Sequence, residues 1–417
     1  MRKNLLFKNL LMVSLLLLFT FASTGAALAA HADLPAPFCG ELADEDCEIL
    51  TESQAVMAEV EELSYTSQVD IMVAGIPDLP AEEISVSLAQ DSVIYMDPTV
   101  IHDMTDFQSQ MAEIAADDME AFMSDYTDLV VDFYSTLGLD ADLTITLPEE
   151  IAAVLSEQAG GLQVPEEINI QARMVEGFLY ANLDELVAAI PELDGMGVEG
   201  WFGLDFATLV SDGLGQAMSM EEMGDPSGMA GFQAGLGAGS MLNTEAVRTL
   251  FADYVNVERL DDEAVDGQDV AVFRTTFDFG AFVASDGFLT LLRDNLELIS
   301  QVSDTPITEA EFDEVSMGLR FLGPSLFQDL DFETVQSIGV EDGYVYRSEV
   351  NFNWPLKTIV AMAAMADGGQ QQDMGDLEPV VTFNTVQENT DFDDAPEVEA
   401  PEDAQIIPLE TLQQGMQ

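Results

Sequence analysis

The sequence predicts an α+β protein built on a large curved antiparallel β-sheet, a half-barrel that wraps around helices. Several segments alternate apolar and polar residues with period two, which is typical of strands with one buried face. Between them, apolar residues recur at helical spacing. Hydrophobic residues make up 48% of the chain, with 24 Phe and 21 Met, so a substantial core is expected despite the high charge.

The first 30 residues have the layout of a secretory signal peptide and are set apart from the folded unit. The chain starts with the basic residues Arg2, Lys3 and Lys8, which are followed by a short apolar run from Leu10 to Ala22. Ala27-Leu28-Ala29 then provides a cleavage site of the small-x-small type. Cleavage is predicted near Ala29, or near Ala32 at a second small-residue site. The mature chain is then exported to the cell envelope or beyond. The alternative is an uncleaved anchor, although the apolar run is short for a membrane span.

Residues 31–48 form the lead of the mature chain and hold both cysteines, Cys39 and Cys47. In an exported protein, an even pair at short range predicts a disulfide, which staples this lead to the first helix. Two thiols are too few for a structural zinc site of their own. Pro37-Phe38 precede Cys39, where a bacterial lipoprotein has small residues, so lipid attachment is not predicted.

The charge balance excludes several classes of partner. The chain has 79 acidic residues against 11 Lys plus Arg, a formal net charge of −68. Phosphates would repel such a chain, which excludes nucleic acid. Docking to an anionic bilayer through a basic patch is excluded for the same reason. We interpret the carboxylates as solvated faces, with diffuse binding of divalent cations as the alternative.

The elements before residue 218 follow from periodicity and from helix-terminating residues. Gly138 is expected to end a long Met- and Phe-rich helix, Pro148 to start another, and Glu176-Gly177 to turn a hairpin. The predicted helices are 49–63, 104–137, 149–158 and 183–190. The predicted strands are 65–74, 84–96, 143–147, the hairpin that starts at 168 and turns into 178–183, and 201–206.

A Gly- and Met-rich segment at 218–241 interrupts the pattern, and similar elements return after it. We interpret it as a mobile loop, with a lid over an apolar mouth as the alternative. Residues 49–412 are treated as one domain that contains this loop. The predicted helices are 243–254, 284–301 and 309–330, the last broken at Gly323-Pro324. The predicted strands are 254–260, 268–279 after the Asp266-Gly267 turn, 332–340, 344–354 and 379–387.

Short segments spread along this order of elements carry a family resemblance. They are Leu63-Ser64-Tyr65, Met174 to Tyr180, Gly200-Trp201-Phe202 and Phe392 to Pro401. With the element order, they resemble the LolA/LppX-type carriers of the bacterial envelope (LppX/LprG-like) across roughly residues 49–412. The resemblance implies a half-barrel with an apolar cavity for acyl chains and no catalytic residues. The missing lipidation site and the long helical inserts depart from that pattern.

The sequence offers little for catalysis. Only His31 and His102 are present, and His31 lies beside the cleavage sites. A catalytic triad would need His102, whose neighbours contain no nucleophile elbow, so a structural helix-entry histidine is the better interpretation. Zinc ligands are lacking, and no pair of carboxylates stands out as a glycosidase dyad. We predict that the protein is not an enzyme and that it holds neither a cofactor nor a metal ion. A hydrolase is the third-ranked of the functions considered.

The predicted function is non-enzymatic binding of an apolar or lipid-like ligand against the concave side of the sheet. Aromatic residues of the alternating strands are expected to line it, or else their opposite-face neighbours: Phe178, Tyr180, Trp201, Phe273, Phe277, Phe352 and Trp354. The alternative is a secreted structural or protein-interaction domain. In that case helix 104–137 fills the concavity and no small ligand binds.

Overall fold

The structure, a computed structural model, describes residues 37–75, 82–111, 119–158, 163–182, 184–189, 200–219, 245–294, 296, 308–360 and 378–408. Thirteen strands in these ranges form one sheet. They are β1 (Glu62–Ala74), β2 (Glu83–Tyr95), β3 (Gly138–Thr146), β4 (Glu167–Val175), β5 (Phe178–Asn182), β6 (Trp201–Asp205), β7 (Val255–Arg259), β8 (Glu263–Val265), β9 (Gln268–Phe277), β10 (Asp331–Gly339), β11 (Val345–Pro355), β12 (Val380–Thr390) and β13 (Gln405–Ile406).

Ten helices lie in the same described ranges. They are α1 (Asp44–Glu59), α2 (Pro98–Met111), α3 (Met119–Thr136), α4 (Glu149–Gln158), α5 (Asp184–Ala189), α6 (Phe206–Ser219), α7 (Glu245–Ala252), α8 (Phe279–Ala284), α9 (Asp286–Asp294) and α10 (Glu309–Phe327). The predicted α+β class, with a large curved and unclosed sheet, is confirmed.

The strand order brings the first strand and a late strand together at the centre of the sheet. The order is β13-β6-β5-β4-β3-β2-β1-β12-β11-β10-β9-β7, with β8 also on β9. The late strand β12 therefore lies between β1 and β11, and both pairings are antiparallel. The pairing of β13 with β6 is parallel. Strands from both halves of the sequence thus share one sheet.

Two hairpin turns form where the sequence predicts them. Glu176 and Gly177 join β4 to β5 with φ angles of 51° and 80°, and Asp266 and Gly267 join β8 to β9 with 50° and 86°. Two consecutive residues with positive φ match the right-handed twist of the flanking strands, which explains the glycine at the second position.

Helix α1 packs across the concave face and connects two apolar clusters. Met57 of α1 belongs to a cluster with Leu63, Ile94 and Met174 of the sheet. Leu50, two turns earlier, belongs to another with Val257, Ala271, Phe273 and Ile338. The first turn contains Asp44, Glu45 and Asp46, whose charges complement the helix dipole in place of a side-chain cap. The predicted disulfide is present between Cys39 and Cys47, with a Cα–Cα distance of 5.4 Å.

Several predicted boundaries are wrong. The stretch predicted as helix 104–137 contains two helices, α2 and α3, on either side of residues 112–118, which lie outside the described residues. Predicted helix 284–301 begins instead as α8 and α9, which separate at Ser285. Helix α6 was not predicted, because its two glycines, Gly213 and Gly215, weaken the helical pattern. Residues 220–244 and 361–377, which include most of the predicted loop, lie outside the described residues.

The predicted break at Gly323-Pro324 is also wrong, since α10 continues through it to Phe327. A Cβ placed on Gly280 of α8 would lie 3.5 Å from Pro324 Cα, and one on Gly323 would lie 2.9 Å from Val283. The two helices therefore pack backbone to backbone at this point. We attribute the continuity of α10 to this contact, which compensates for the hydrogen bond that proline removes.

Candidate binding site on the concave face

The register divides the sheet into one uncharged face and one charged face. Directly paired residues of an antiparallel sheet project from the same side, so the pairings can be followed from strand to strand. In the seven described strands from β4 through β3, β2, β1, β12 and β11 to β10, no charged residue lies on the side that carries Leu63 and Ile71. This side also carries the two apolar clusters with α1, so it is the concave face.

One end of the concave face is closed by the protein's own core. A row of six paired apolar residues crosses it, which we call the packed row: Leu63, Ile94, Leu139, Met174, Leu179 and Leu204. Tyr134 of α3 and Phe206 of α6 pack against this cluster, with their rings edge to face at 5.0 Å. Burial raises the pKa of the Tyr134 phenol, so the hydroxyl stays neutral over the whole physiological range. This end leaves no room for a guest.

The other end of the concave face is apolar but incompletely covered. Eight residues along β1, about 27 Å from Leu63 at 3.4 Å per residue, a second row crosses the sheet. We call it the open row: Phe332, Phe352, Phe383, Ile71 and Val86, each directly paired with the next. Ile71 is 42% exposed, although it lies near the centre of the sheet. The open row therefore presents apolar surface that the described helices leave accessible.

Between these rows lies a third row made of uncharged polar side chains. We call it the polar row: Gln336, Ser348, Gln387, Ser67 and Gln90. Ser67, Gln90 and Gln387 are buried, whereas Gln336 is exposed. Gln90 Nε2 donates to Tyr65 Oη at 2.6 Å and to Ser92 Oγ at 2.7 Å. The amide group of Gln90 is therefore held by bonds toward the packed end.

The seven residues predicted to line the site do not share one face. Phe273, Phe277, Phe352 and Trp354 lie on the concave face. Phe178, Tyr180 and Trp201 lie on the opposite, convex face, because the register of β4, β5 and β6 puts Leu179 and Phe202 on the concave side. A single ligand on one face cannot contact all seven. The sequence prediction had kept these opposite-face neighbours as its alternative.

Most of the predicted aromatic residues already pack against other parts of the chain. Phe273 is only 1% exposed, in the α1 cluster. Phe277 contacts Phe282 of α8, with ring centroids 5.2 Å apart, and Trp354 stacks on Phe327 of α10 at 5.4 Å. Of the four concave residues, Phe352 belongs to the open row. Their role in ligand binding stays a prediction.

On the convex face, residues of the C-terminal segment lie near Tyr180 and Trp201. A Cβ added to Gly203 would lie 2.5 Å from Ile406 and 2.8 Å from Tyr180, so these side chains already fill the space above that glycine. Arg173 lies over the Trp201 ring at 5.0 Å and donates to the Glu399 carbonyl oxygen. Aromatic character alone therefore did not indicate the concave surface.

Sequence reasoning missed every member of the open and polar rows except Phe352. Ile71, Val86 and Phe383 alternate with polar neighbours in predicted strands, so the signal was present. The alternation within one strand does not indicate which other strands become its neighbours in the sheet. Only the insertion of β12 beside β1 places Phe383 next to Ile71.

A separate polar cleft of about 460 Å³ lies on the convex face, next to α5. Gln171 Nε2 donates to Asp142 Oδ1 at 2.7 Å, and Asn182 Nδ2 donates to Gln171 Oε1 at 3.3 Å. Asp184 and Glu185 complete one wall. Acidic and polar side chains make this cleft unsuitable for hydrocarbon.

The groups considered for catalysis stay dispersed. His102 is half exposed on α2, with Nε2 3.8 Å from Asp106 Oδ2 one turn along the helix. Within the residues that the structure describes, no three His, Cys, Asp or Glu side chains are grouped so as to hold a metal ion. Within the same residues, no helix is both long and apolar enough to cross a membrane.

Comparison with known proteins gives only remote likenesses. No family model and no curated protein sequence matches the chain. The crystal structure of the Mycobacterium tuberculosis lipoprotein LppX is similar at 8% identity and a TM-score of 0.27, covering 86% of this chain and 100% of LppX. LprF from Mycobacterium bovis is similar at 9% identity and 0.27, covering 86% and 98%. Because both TM-scores lie below 0.5, neither likeness supports a conclusion about ligand or activity.

Proposed function

We propose that this protein is an exported, non-enzymatic binding protein that carries an apolar or lipid-like ligand on the concave face of its sheet. The observation that carries the proposal is the open row, an apolar surface in the middle of a sheet that the described helices leave partly accessible, with Ile71 42% exposed. A signal peptide at residues 1–30 would place the protein outside the cytoplasm.

The energetics favour an apolar guest at this position. Ile71, Phe383 and Val86 are directly paired across three neighbouring central strands. Apolar surface removed from water contributes about 25 cal/mol per Å², so a guest that covers several such side chains gains a few kcal/mol from burial alone. The absence of charge on this face of the seven strands from β4 to β10 removes the desolvation cost that a charged lining would add.

The same geometry limits where the guest lies. The packed row is filled by Tyr134 and Phe206, and Phe277 and Trp354 are in ring contact with α8 and α10. The guest would therefore lie along β12, β1 and β2, from the polar row towards the open row. The competing function is that of a structural or protein-interaction domain whose own helices fill the concave face, so that no small ligand binds.

The proposal is tested by introducing a carboxylate into the open row. Ile71→Asp is expected to weaken binding of the neutral apolar dye Nile red by about tenfold or more, because a charged group replaces apolar contact. Ile406→Asp is the matched control, since this residue is also an exposed strand isoleucine, 50% exposed against 42%, but at the β13 edge. Its dye affinity should match that of the unaltered protein.

A second measurement identifies the natural guest. Purified protein is extracted with organic solvent, and the extract is analysed for lipids by mass spectrometry. Co-purified lipid that disappears in Ile71→Asp but not in Ile406→Asp supports the proposal. No extractable lipid, together with no saturable dye binding, would leave the self-filled domain as the correct description.

A further inference from the structure

Two buried hydroxyl groups on the concave face have no hydrogen-bond partner among the described residues. Ser67 Oγ and Thr385 Oγ1 are both in this state, and Ser67 is only 5% exposed. Buried hydroxyls are normally satisfied, so each unpaired one calls for a missing partner. Both project from the concave face, Ser67 in the polar row and Thr385 in the row directly beside it, opposite Val69.

The neighbouring amide groups do not supply that partner. Gln387 Nε2 donates to Asn389 Oδ1 at 2.8 Å, and Asn389 Nδ2 donates in turn to the Val345 carbonyl oxygen at 2.8 Å. Together with the bonds of Gln90, these amides are directed towards the packed end of the sheet. The two hydroxyls are left on the side that leads to the open row. They are therefore positioned to bond a group that enters from there.

The charge of the surroundings restricts the chemistry of that group. No Lys or Arg lies on this face of the seven strands from β4 to β10, and the whole chain has a formal net charge of −68. A carboxylate or phosphate on this face would find no counter-ion in these seven strands, which is unfavourable. A neutral oxygen is compatible, since a hydroxyl can donate to an ester carbonyl and can also accept from an alcohol.

We propose that the ligand is a neutral amphipathic lipid whose ester or hydroxyl oxygen atoms bond Ser67 and Thr385, while its hydrocarbon lies along the open row. This inference rests on the proposed function and names the substrate class of the same site. Diagonal neighbours on paired strands are about 7–8 Å apart at Cα, so one ester or diol group can reach both hydroxyls.

Displacement of Nile red by three twelve-carbon probes tests the inference: methyl laurate, dodecane and laurate. In the unaltered protein, laurate should bind more weakly than methyl laurate. Ser67→Ala combined with Thr385→Val should weaken methyl laurate about tenfold, the effect of two net hydrogen bonds, and change dodecane by less than twofold. Ser316→Ala, which removes another buried and unpaired hydroxyl on α10, should change neither.

The melting temperature of the double variant distinguishes ligand binding from a purely structural role of the two hydroxyls, because the two roles predict changes of opposite sign. Because neither hydroxyl has a partner among the described residues, the double variant should melt at or above the temperature of the unaltered protein. A lower melting temperature would mean that the hydroxyls hold the fold and would overturn the inference. Equal losses for methyl laurate and dodecane, unchanged methyl laurate binding, or tighter binding of laurate would also overturn it. If dodecane displaces no dye from any variant, the proposed function itself fails.

Discussion

Removal of the Cys39–Cys47 disulfide should lower the free energy of unfolding by about 2.5 kcal/mol. The bridge joins residues with a sequence separation of 8. A loop of this length restricts the unfolded chain by roughly 8 cal/mol/K, which corresponds to about 2.5 kcal/mol at 25 °C. The change is the double substitution Cys39→Ser and Cys47→Ser, which leaves no free thiol in the described residues.

The loop entropy contributes to the free energy of unfolding only if the lead, residues 31–48, unfolds together with the core. The packing of the lead indicates that the two unfold together. Cys47 lies in the first turn of α1, and the bridge fixes the residues before it against that helix. Phe38 and Leu42 pack against the cluster that contains Leu50 and Phe273. The lead therefore cannot detach without exposing apolar surface of the α1 cluster.

The assay is urea denaturation at pH 7, followed by far-ultraviolet circular dichroism. The double variant should unfold at a lower urea midpoint with an unchanged or slightly larger slope. Reduction of the unaltered protein should shift its curve onto that of the variant. Identical midpoints for the oxidised protein and the variant would refute the reasoning, because the lead would then open independently of the core.

Two further changes test local features. Hydrogen bonds from the N-cap threonine lower the pKa of Glu311, so its contribution to stability is present above the unfolded pKa near 4.5 and is lost as the pH falls through the folded value. Thermal melts should accordingly show Glu311→Ala destabilising α10 more at pH 7 than at pH 3. Glu314→Ala, which removes a glutamate of the same helix outside the capping box, is the control, and a loss at pH 7 as large as that of Glu311→Ala would contradict the capping role. Gly75→Ala should cost about 1–3 kcal/mol in urea unfolding, because φ is +64° and the new Cβ would lie 2.6 Å from the Glu378 carbonyl oxygen. Gly200→Ala shares the positive φ, at +79°, but meets nothing within 4 Å, so an equal loss would mean that the close contact is unimportant.

The local pattern was enough for much of the fold because it depends on near neighbours. Helix 149–158 and the turn at Glu176-Gly177 occur as predicted, since a helix-starting proline and a positive-φ glycine act within a few residues. Helix α10 shows the limit, because a local rule placed a break at Pro324 and packing against α8 overrode it.

The sequence predicted an apolar candidate site on one face of the sheet, but it did not predict which residues form that site. The local pattern is enough to predict long strands with one uncharged side, because residues alternate with period two in β1, β2 and β12. It could not determine which side of β5 faces inward, since Phe178, Leu179 and Tyr180 are all apolar or aromatic and period two then gives no preference.

The pairing of distant strands settles which side of β5 faces inward, and it also brings the residues of the candidate site together. Strand register passed from β1 to β5 puts Leu179 inward and Tyr180 outward, although both are apolar enough to be buried. The same register brings Ser67 beside Gln387, more than 300 residues away in the chain, where its hydroxyl has no hydrogen-bond partner within the part of the chain that the structure describes. Alternation specifies the two faces of one strand, whereas contacts between distant strands depend on the free energy of the whole sheet, which no local pattern contains.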